Sequence, residues 1–487
     1  MKFGLTNNVI EEIQQVLATN PKIEKAIIFG SRAKGNYKDG SDIDIAIKGE
    51  NLKLDDFLPL EVKLDDLNLP YNIDLINYAD IKEPALTEHI DRVGIELYSR
   101  WKEWTFSHFV EINPAVKLSG AQEYPFVEMK DLQDGIKTCM PSTNREPSGG
   151  ARFQEGDTLF ARITPCLENG KICQVKGLEG GVGFGSTEFL VFRGKQGISD
   201  TDFAYYLARW GEVREFAERN FIGTSGRQRV PKDCFDNLRL LLPPLEEQRA
   251  IANVLNSLDN KIDLLHRQNK TLEFMAEVLF KMYFNNENRK GTIGEYIKVR
   301  GGFAFKSESF KDQGFAGIIK ITNISMGSVD IVNTQFVDKE IVDSLDPLKF
   351  MIKSGDFLIA MTGAEIGKIG IVEDTEATIW LNQRVGKIIE KIPFGSLVGY
   401  MALRSKEGQD HITNSCSGSA QENISSTGLE GMEFETYSED ITTAFGKAVK
   451  PVFVKITFNF KKIRMLVHLR DTLLPKLLSG EVRVKMS

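Results

Sequence analysis

The feature that most constrains the fold is an internal duplication: residues 104–487 contain two collinear copies of one pattern, offset by about 194 residues. Small changes in the offset fall between the shared motifs, as loop insertions would. The alternative is chance similarity between β-rich segments, which does not explain the common order. The matching motifs are Gly156-Asp157-x-Leu159-x-Ala161 with Gly355-Asp356-x-Leu358-x-Ala360, Gly170-Lys171-Ile172 with Gly367-Lys368-Ile369, and Gly223-Thr224, Gln228 and Val230 with Gly418-Ser419, Gln421 and Ile424.

Each copy ends in a long helical pattern whose apolar residues recur in steps of three and four, the spacing of a coiled-coil seam. One polar residue interrupts each seam, Asn269 in the first and Asn459 in the second. Mutual pairing of the two helices is favoured over two separate core-facing helices, because the patterns match. The first helix is expected over about residues 246–284, roughly 58 Å at 1.5 Å per residue. The seam positions are Ile251, Leu255, Leu258, Ile262, Leu265, Leu272, Met275 and Leu279, then Phe445, Val449, Val452, Ile456, Leu466, Leu469 and Leu473.

Two features complicate the second helix. Pro451 lies well inside its pattern and predicts a kink or a late start, because proline cannot donate a helix hydrogen bond. The Pro243-Pro244-Leu245-Glu246-Glu247 stretch before the first helix also has no close counterpart before the second. We therefore expect the two helices to begin differently.

These patterns predict a multidomain α/β chain with five segments. Residues 1–103 stand outside the repeat and alternate between helical and strand patterns, with a Gly-rich turn between the first two strands. No Pro-, Gly- or Ser-rich linker follows at Arg100–Trp104, so we expect close coupling to the next segment. The segments are 1–103, the first repeat copy at 104–244, its helix at 245–288, the second copy at 289–438 and its helix at 439–487.

Composition excludes several classes of protein. The chain has 41% hydrophobic and 26% charged residues, which is ordinary for a folded globular protein. It has no apolar run long enough to cross a membrane and no secretory signal pattern. Its five cysteines form no C-x-x-C pair, which favours a reducing cytoplasm over disulfides or structural zinc. The net charge of −7 excludes a generic polycation, so nucleic-acid binding must depend on local patches or partners.

The N-terminal segment contains the sharpest motif, Gly30-Ser31 followed after ten residues by Asp42-Ile43-Asp44. A turn of small residues can present backbone N–H groups to a triphosphate. Asp42 and Asp44 are two residues apart on a strand, so both carboxylates face the same side. Two oxygen ligands on one face suit Mg²⁺. Asp74 lies in an apolar strand, where a core-facing acid would be costly without a cation. Helix capping or a solvated hairpin is the alternative for the Asp-x-Asp turn alone.

This spacing closely resembles the minimal nucleotidyltransferases of the DNA-polymerase-β superfamily, over about residues 3–100. The resemblance implies that Asp42, Asp44 and Asp74 form the catalytic and metal site, that Asp74 helps activate the attacking hydroxyl, and that Gly30 and Ser31 contact the phosphates. Mg²⁺ and a nucleoside triphosphate, most simply ATP, are the implied cofactors. Small members often act as antitoxins that transfer nucleotides onto a toxin, so a toxin-like protein is an implied substrate.

The repeated region resembles the specificity subunit of type I restriction–modification systems. The resemblance implies two α/β target-recognition domains separated by a pair of long antiparallel helices, each domain reading half of a bipartite site in double-stranded DNA. The helices would hold two DNA methyltransferase subunits, which alone bring S-adenosylmethionine, and restriction/translocase subunits would join them. The supporting motifs are Gly156–Ala161, Leu242-Pro243-Pro244-Leu245-Glu246-Glu247-Gln248 and Leu469–Gly480.

Sequence specificity must come from positions where the copies differ. The shared Gly156, Asp157, Gly223 and Gln228 are expected to be framework or phosphate-contacting groups. Arginine, asparagine and glutamine can pair with guanine or adenine edges, although surface or strand-capping roles are the alternative. The base-contacting candidates are Arg162, Asn382, Gln383 and Arg384. Arg227 and Arg229 suit phosphate contact better, so their joint replacement by alanine should weaken binding to all sequences alike.

Three functions remain open at this stage. The first is a DNA-binding specificity subunit that depends on methyltransferase and restriction partners. The second is a nucleotidyltransferase that modifies a partner protein, with the repeats as a targeting scaffold. The third is a scaffold that has lost DNA reading. We find no nuclease, helicase or methyltransferase motif, and we read the five histidines as structural.

Overall fold

The computed structural model describes residues 2–49, 51–118, 122–224, 226–284, 289–416 and 422–484. The motif residues Gly418, Ser419 and Gln421 lie outside these ranges. The chain forms two compact units, Met1–Asn256 with Thr472–Ser487, and Ser257–Asp471. Across the described ranges, no helix is both long and apolar enough to cross a membrane.

The N-terminal segment is a four-stranded sheet with helices, in the strand order β3-β2-β1-β4. Strands β2 and β3 are parallel, and β1 is antiparallel to both of its neighbours, β2 and β4. The predicted Gly-rich turn is a five-residue helix, and the strand after the last helix was not predicted. The elements are α1 Asn7–Ala18, β1 Ile23–Ile28, α2 Gly30–Lys34, β2 Ile43–Gly49, α3 Leu54–Asp65, β3 Ile73–Asn77, α4 Pro84–Val93 and β4 Ile95–Ser99.

The first repeat copy contains a five-stranded sheet, a four-stranded sheet and a two-stranded ribbon. The sheet orders are β6-β14-β11-β12-β8, β10-β13-β7-β9 and β15-β5. The elements are β5 Lys102–Thr105, α5 Phe106–Phe109, β6 Val110–Ile112, β7 Tyr124–Val127, β8 Thr138–Cys139, β9 Thr143–Arg145, β10 Ala151–Gln154, β11 Thr158–Ala161, β12 Ile172–Val175, β13 Val182–Gly185, β14 Phe189–Gly194, α6 Thr201–Arg209, α7 Gly211–Arg219 and β15 Arg239–Leu242; helix α8 Leu245–Tyr283 follows.

The second copy repeats this topology. Its sheets β17-β25-β22-β23-β20-β19, β21-β18-β24 and β16-β26 correspond strand by strand to those of the first copy, with β19 added and no counterpart of β10 among the residues that the structure describes. The predicted duplication is therefore present in the fold. The elements are β16 Arg289–Thr292, β17 Ile297–Gly301, β18 Ala316–Ile319, β19 Ile324–Ser325, β20 Gly327–Val329, β21 Gln335–Val337, α9 Lys339–Asp343, α10 Pro347–Phe350, β22 Phe357–Ala360, β23 Ile369–Ile371, β24 Ile379–Leu381, β25 Val385–Glu390, α11 Gly395–Arg404, α12 Lys406–Ser415, α13 Ser426–Glu430 and β26 Glu433–Thr436; helix α14 Glu439–Ser479 follows.

Helices α8 and α14 pack against each other in antiparallel fashion, as predicted. In the first unit, Leu477 and Leu478 of α14 share a core with Ile251 and Leu255 of α8. In the second unit, Ile262 and Leu265 of α8 pack with Ile463 of α14. The two predicted polar breaks meet: the Asn459 side-chain amide donates to the Asn269 carbonyl oxygen at 2.7 Å. This buried amide pair links the two breaks across the helices and favours a single register.

The seam prediction fails at two positions. Met275 and Leu469 are 47% and 45% exposed, whereas Ala276 and Arg470 are buried. Arg470 donates to Asp259 of α8 at 2.7 Å. This ion pair is buried in the seam, where the pattern predicted an apolar side chain. A helix has 3.6 rather than 3.5 residues per turn, so its buried face drifts away from a strict heptad. The late start suggested by Pro451 is also wrong, because α14 begins at Glu439.

A buried carboxylate joins the N-terminal segment to the start of α8. Glu247 is only 4% exposed. It accepts a hydrogen bond from the Trp101 indole at 3.1 Å and forms ion pairs with Arg100 at 3.3 Å and Arg483 at 2.7 Å. The Arg483 guanidinium also lies over the Trp101 ring. The predicted close coupling at Arg100–Trp104 is present.

We expect Glu247→Ala to destabilise the first unit by about 3 kcal/mol, because it leaves two enclosed guanidinium groups without their counterion. The midpoint of chemical unfolding of the full chain measures this. Glu246→Ala is the matched control, since Glu246 is exposed on the same helical turn. Equal midpoints for the two variants would contradict the role of Glu247.

Candidate functional site

The three predicted carboxylates lie on neighbouring strands of the N-terminal sheet. Asp44 on β2 is directly opposite Asp74 on β3 in the parallel register, and Asp42 precedes β2. Asp42 and Asp74 are exposed, while Asp44 is partly buried. Asp74 therefore does not face the core. Since β3 is an edge strand, its Asp74 carboxylate can stay hydrated.

The carboxylates act on one another electrostatically. Partial burial raises the pKa of Asp44, the negative charges of Asp74 and Asp42 raise it further, and Arg32 opposes them. Crowded carboxylates are stabilised by a cation. This charge pattern therefore suits a site that binds a cation together with its substrate.

Gly30 allows the backbone to approach this group. It has φ +72°, and a β-carbon built there would lie 2.2 Å from Oδ2 of Asp44. Any side chain would collide with the carboxylate, and positive φ is itself unfavourable for other residues. Ser31 follows in α2, on the same short connection. The structure thus brings the predicted Gly30-Ser31 pair to Asp44.

Arg32 is a site-positioning residue that the sequence analysis missed. It is 3% exposed. Its guanidinium donates to the carbonyl oxygens of Asp42 and Phe3 at 3.0 Å each and to that of Ser41, and it lies 4.3 Å from the Tyr71 ring centroid. These bonds fix the backbone that leads into Asp42. Its position next to Gly30-Ser31 was the only signal in the sequence.

The carboxylates fit a metal that arrives with a nucleotide. Among the described residues, no group of three or more His, Cys, Asp or Glu side chains is arranged to hold a metal ion alone. Mg²⁺ in nucleotide sites is usually bound by one or two carboxylates plus substrate phosphates. The carboxylates of Asp42 and Asp44 match that donor set better than a metal cage.

The shared Asp-containing motif has a framework role. Asp157 is 1% exposed and accepts two hydrogen bonds from the Arg193 guanidinium, both at 2.7 Å. In the second copy Asp356 forms the corresponding ion pair with Lys387 at 2.6 Å. Gly156 precedes Asp157 with φ +88° in the turn before β11. These contacts support the framework alternative over phosphate contact.

The DNA-contact candidates of the first copy cluster beside the Ile222–Arg229 hairpin, which is closed by mutual backbone hydrogen bonds. Arg229 donates to Glu188 through Nε at 2.8 Å and Nη2 at 2.6 Å. Arg162 lies next to this pair, and its Nε is buried without a hydrogen-bond partner among the described residues. Arg227 is exposed in the hairpin. The two arginines therefore differ: the Arg229 guanidinium is bound to the Glu188 carboxylate, whereas Arg227 is exposed.

The second-copy candidates lie at the equivalent place. Gln383 and Arg384 are exposed, and Asn382 is partly buried just after β24. The backbone N–H of Met361 donates to Arg384 O at 3.1 Å, as that of Arg162 donates to Glu188 O at 2.9 Å. Likewise Ile424 N–H donates to Met361 O, as Val230 N–H donates to Arg162 O.

This register corrects one motif match. Gly363 N–H donates to Glu422 O at 3.0 Å, as Thr164 N–H donates to Gln228 O at 3.0 Å. Glu422, rather than Gln421, is therefore the counterpart of Gln228. The match of Val230 with Ile424 is confirmed. The sequence match to Gln421 followed the identity of the side chain, whereas the backbone hydrogen bonds assign Glu422 to the position of Gln228.

Two parts of the chain match families of known proteins. Residues 11–103 match the family described as polymerase beta, nucleotidyltransferase. Residues 103–274 match the family described as type I restriction modification DNA specificity domain. Both resemblances drawn from the sequence are thus confirmed.

The chain is also similar to individual proteins. The chain is 26% identical to the type I restriction enzyme MjaVIII specificity subunit of Methanocaldococcus jannaschii, over 80% of this chain and 95% of that protein. It is 31% identical to the EcoEI specificity subunit of Escherichia coli, over 46% of this chain and 40% of that protein. The crystal structure of a type I system S subunit from M. genitalium covers 80% of this chain and 97% of its own, with 17% identity and a TM-score of 0.46.

Proposed function

We propose that the chain recognises a bipartite site in double-stranded DNA for a type I restriction–modification system in the cytoplasm, each repeat copy reading one half-site. The observation that carries this proposal is the duplication: one strand order occurs twice, and each copy is followed by one of two long paired helices. Two similar modules with different side chains at equivalent positions suit two different half-sites. DNA methyltransferase subunits would supply S-adenosylmethionine, and restriction/translocase subunits would complete the assembly.

Methylome sequencing tests this function. The full chain is co-expressed with a type I DNA methyltransferase subunit in a host lacking other DNA methylation. We expect one modified motif made of two half-sites separated by a fixed number of unspecified bases. Absence of site-specific methylation, in an assembled complex, would favour a scaffold that no longer reads DNA.

The paired helices offer an apolar surface for the methyltransferase subunits. On α8 the exposed Phe274, Val278 and Met282 recur every four residues and form one stripe. On α14 a second exposed stripe contains Val454, Phe458, Met465 and Leu469. Exposed apolar stripes of this kind mark docking surfaces for other helices. We assign these two stripes to partner docking.

The double variant Phe274→Ser plus Met282→Ser should weaken methyltransferase binding at least about 100-fold. Both side chains are 64% exposed, so the change removes apolar area from the interface and leaves the core intact. Co-purification and calorimetric titration with the methyltransferase measure the effect. Lys270→Ser plus Lys281→Ser is the control on the same helix. Unchanged binding in the Phe274/Met282 variant would reject the assignment.

For the N-terminal domain we propose Mg²⁺-dependent transfer of the nucleotidyl group of ATP to an acceptor hydroxyl, with pyrophosphate as the leaving group. Asp42 and Asp44 would hold Mg²⁺, which when bound neutralises charge on the triphosphate. Gly30 and Ser31 would position the phosphates through backbone N–H groups and the Ser31 hydroxyl. Asp74, facing Asp44 across the strands, would accept the proton of the attacking hydroxyl. Arg32 keeps the Asp42 backbone in place.

A second candidate function is that this transferase is the main activity, with the repeats locating a partner protein as its substrate. The observation that favours it is the assembled site, in which Gly30 lies against Asp44 and the charges of Asp42 and Asp74 act on Asp44. A toxin-like protein is the proposed acceptor, through a side-chain hydroxyl.

A further inference from the structure

Resting on the proposed DNA reading, we infer that one equivalent position in each copy reads a base pair, and that Glu188 in the first copy and Arg384 in the second make the half-sites differ there. The positions are equivalent because each is held by the corresponding backbone hydrogen bond. Both residues accept through their carbonyl oxygen from the N–H that follows β11 or β22. The two copies therefore share the backbone arrangement, but the side chain is negatively charged in the first copy and positively charged in the second.

The second copy has an open recess at this position. It has a volume of about 430 Å³ and is lined by Met361, Thr362, Gln383, Arg384, Asn423 and Ile424 among others. Thr362 is 8% exposed, and its hydroxyl has no hydrogen-bond partner among the described residues. A buried hydroxyl without a partner is costly unless a ligand meets it. The recess therefore presents polar groups that can form hydrogen bonds with a bound ligand.

In the first copy, the same backbone arrangement carries a carboxylate, Glu188, where the second copy has the guanidinium of Arg384. Glu188 accepts the bidentate hydrogen bonds of Arg229, which occupies the position of Asn423. The hydrogen bonds from Arg229 lower the pKa of Glu188, so its carboxylate is ionised at neutral pH. An ionised carboxylate repels phosphates, which makes backbone contact at Glu188 unfavourable. A base edge with hydrogen-bond donors suits it instead.

The side chains indicate which bases are read. Arginine pairs bidentately with O6 and N7 of guanine, and glutamate accepts from N4 of cytosine. Arg384 should therefore select guanine in one half-site. Glu188 should select cytosine at the corresponding position of the other half-site, with Arg229 able to reach the guanine paired to it. Arg229 thus acts at a base pair, whereas the exposed Arg227 keeps the phosphate-contacting role.

The test uses the full chain with its methyltransferase partner and compares methylomes of the wild type, Arg384→Glu and Glu188→Arg. Each variant should change the preferred base at one position of one half-site, with a loss of about 10- to 100-fold for the original base, and leave the other half-site unchanged. Arg227→Ala is the control and should lower methylation of all sites evenly.

The outcomes separate this inference from the function on which it rests. A wild-type methylome without a two-part motif would reject the proposed function. A two-part wild-type motif whose base preferences are unchanged in the variants would overturn the inference alone. If Arg384→Glu methylates nothing, Arg384→Gln decides: a shift from guanine towards adenine supports base reading, and an even loss on all sequences overturns it.

Discussion

Alanine at both Asp42 and Asp44 should abolish nucleotide transfer by the full chain, lowering the rate by about 10³-fold or more. The two carboxylates are the proposed metal ligands, and electrostatic stabilisation by a bound metal contributes several kcal/mol to such a transition state. The change also removes a partly buried carboxylate whose pKa is raised by burial and by the neighbouring acids, so the fold should tolerate it. Incubation with labelled ATP, Mg²⁺ and cell extract, followed by gel analysis, measures transfer to protein.

The matched control for this experiment is Asp65→Ala plus Asp66→Ala. These two exposed carboxylates lie at the end of α3 in the same domain and carry the same charge. The control should label its acceptor at the wild-type rate. Equal labelling by the Asp42/Asp44 variant and the wild type would show that the carboxylates do not form the reaction site. No labelling by either would remove the transferase proposal.

The duplication, the helix pair and the N-terminal site could be predicted from the sequence. Each depends on a regular local pattern: repeated motifs, heptads, or the alternation that puts Asp42 and Asp44 on one side of β2. The sequence showed the two broken seams, but only the structure shows that Asn269 pairs with Asn459. Patterns of this kind predict which elements form and which faces they bury.

Features that depend on long-range packing could not be predicted. Glu247 is buried because Arg100 and Arg483, far away in sequence, enclose it. Strand β4 was missed because a short strand shows its identity only when β1 pairs with it. The pairing of Arg229 with Glu188 likewise joins two exposed-looking residues whose spacing carries no signal.

Shortening both helices by one heptad should shorten the recognised DNA spacer by about three base pairs. Seven residues span about 10.5 Å, and a base pair rises about 3.4 Å. Deletion of residues 260–266 and 462–468 removes facing segments and keeps the Asp259–Arg470 and Asn269–Asn459 pairs. A heptad is close to two full turns, so the paired faces are preserved. Methylation should be slower, because three base pairs rotate the half-sites by about 100°.

Thermal unfolding serves as the control, since the shortened chain must melt cooperatively like the wild type. Deleting residues 260–266 alone supplies a second control. It mismatches the helices, separating Asn269 from Asn459, and should abolish methylation instead of changing the spacer.

The most direct test of the duplicated reader is the methylated motif of the wild type and the shortened chain, sequenced side by side. We expect two half-sites in each motif. Their base sequences should be the same for both chains, and the spacer between them should be about three base pairs shorter for the shortened chain. An unchanged spacer in a folded, active shortened chain would contradict this expectation, as would a motif with altered half-site bases.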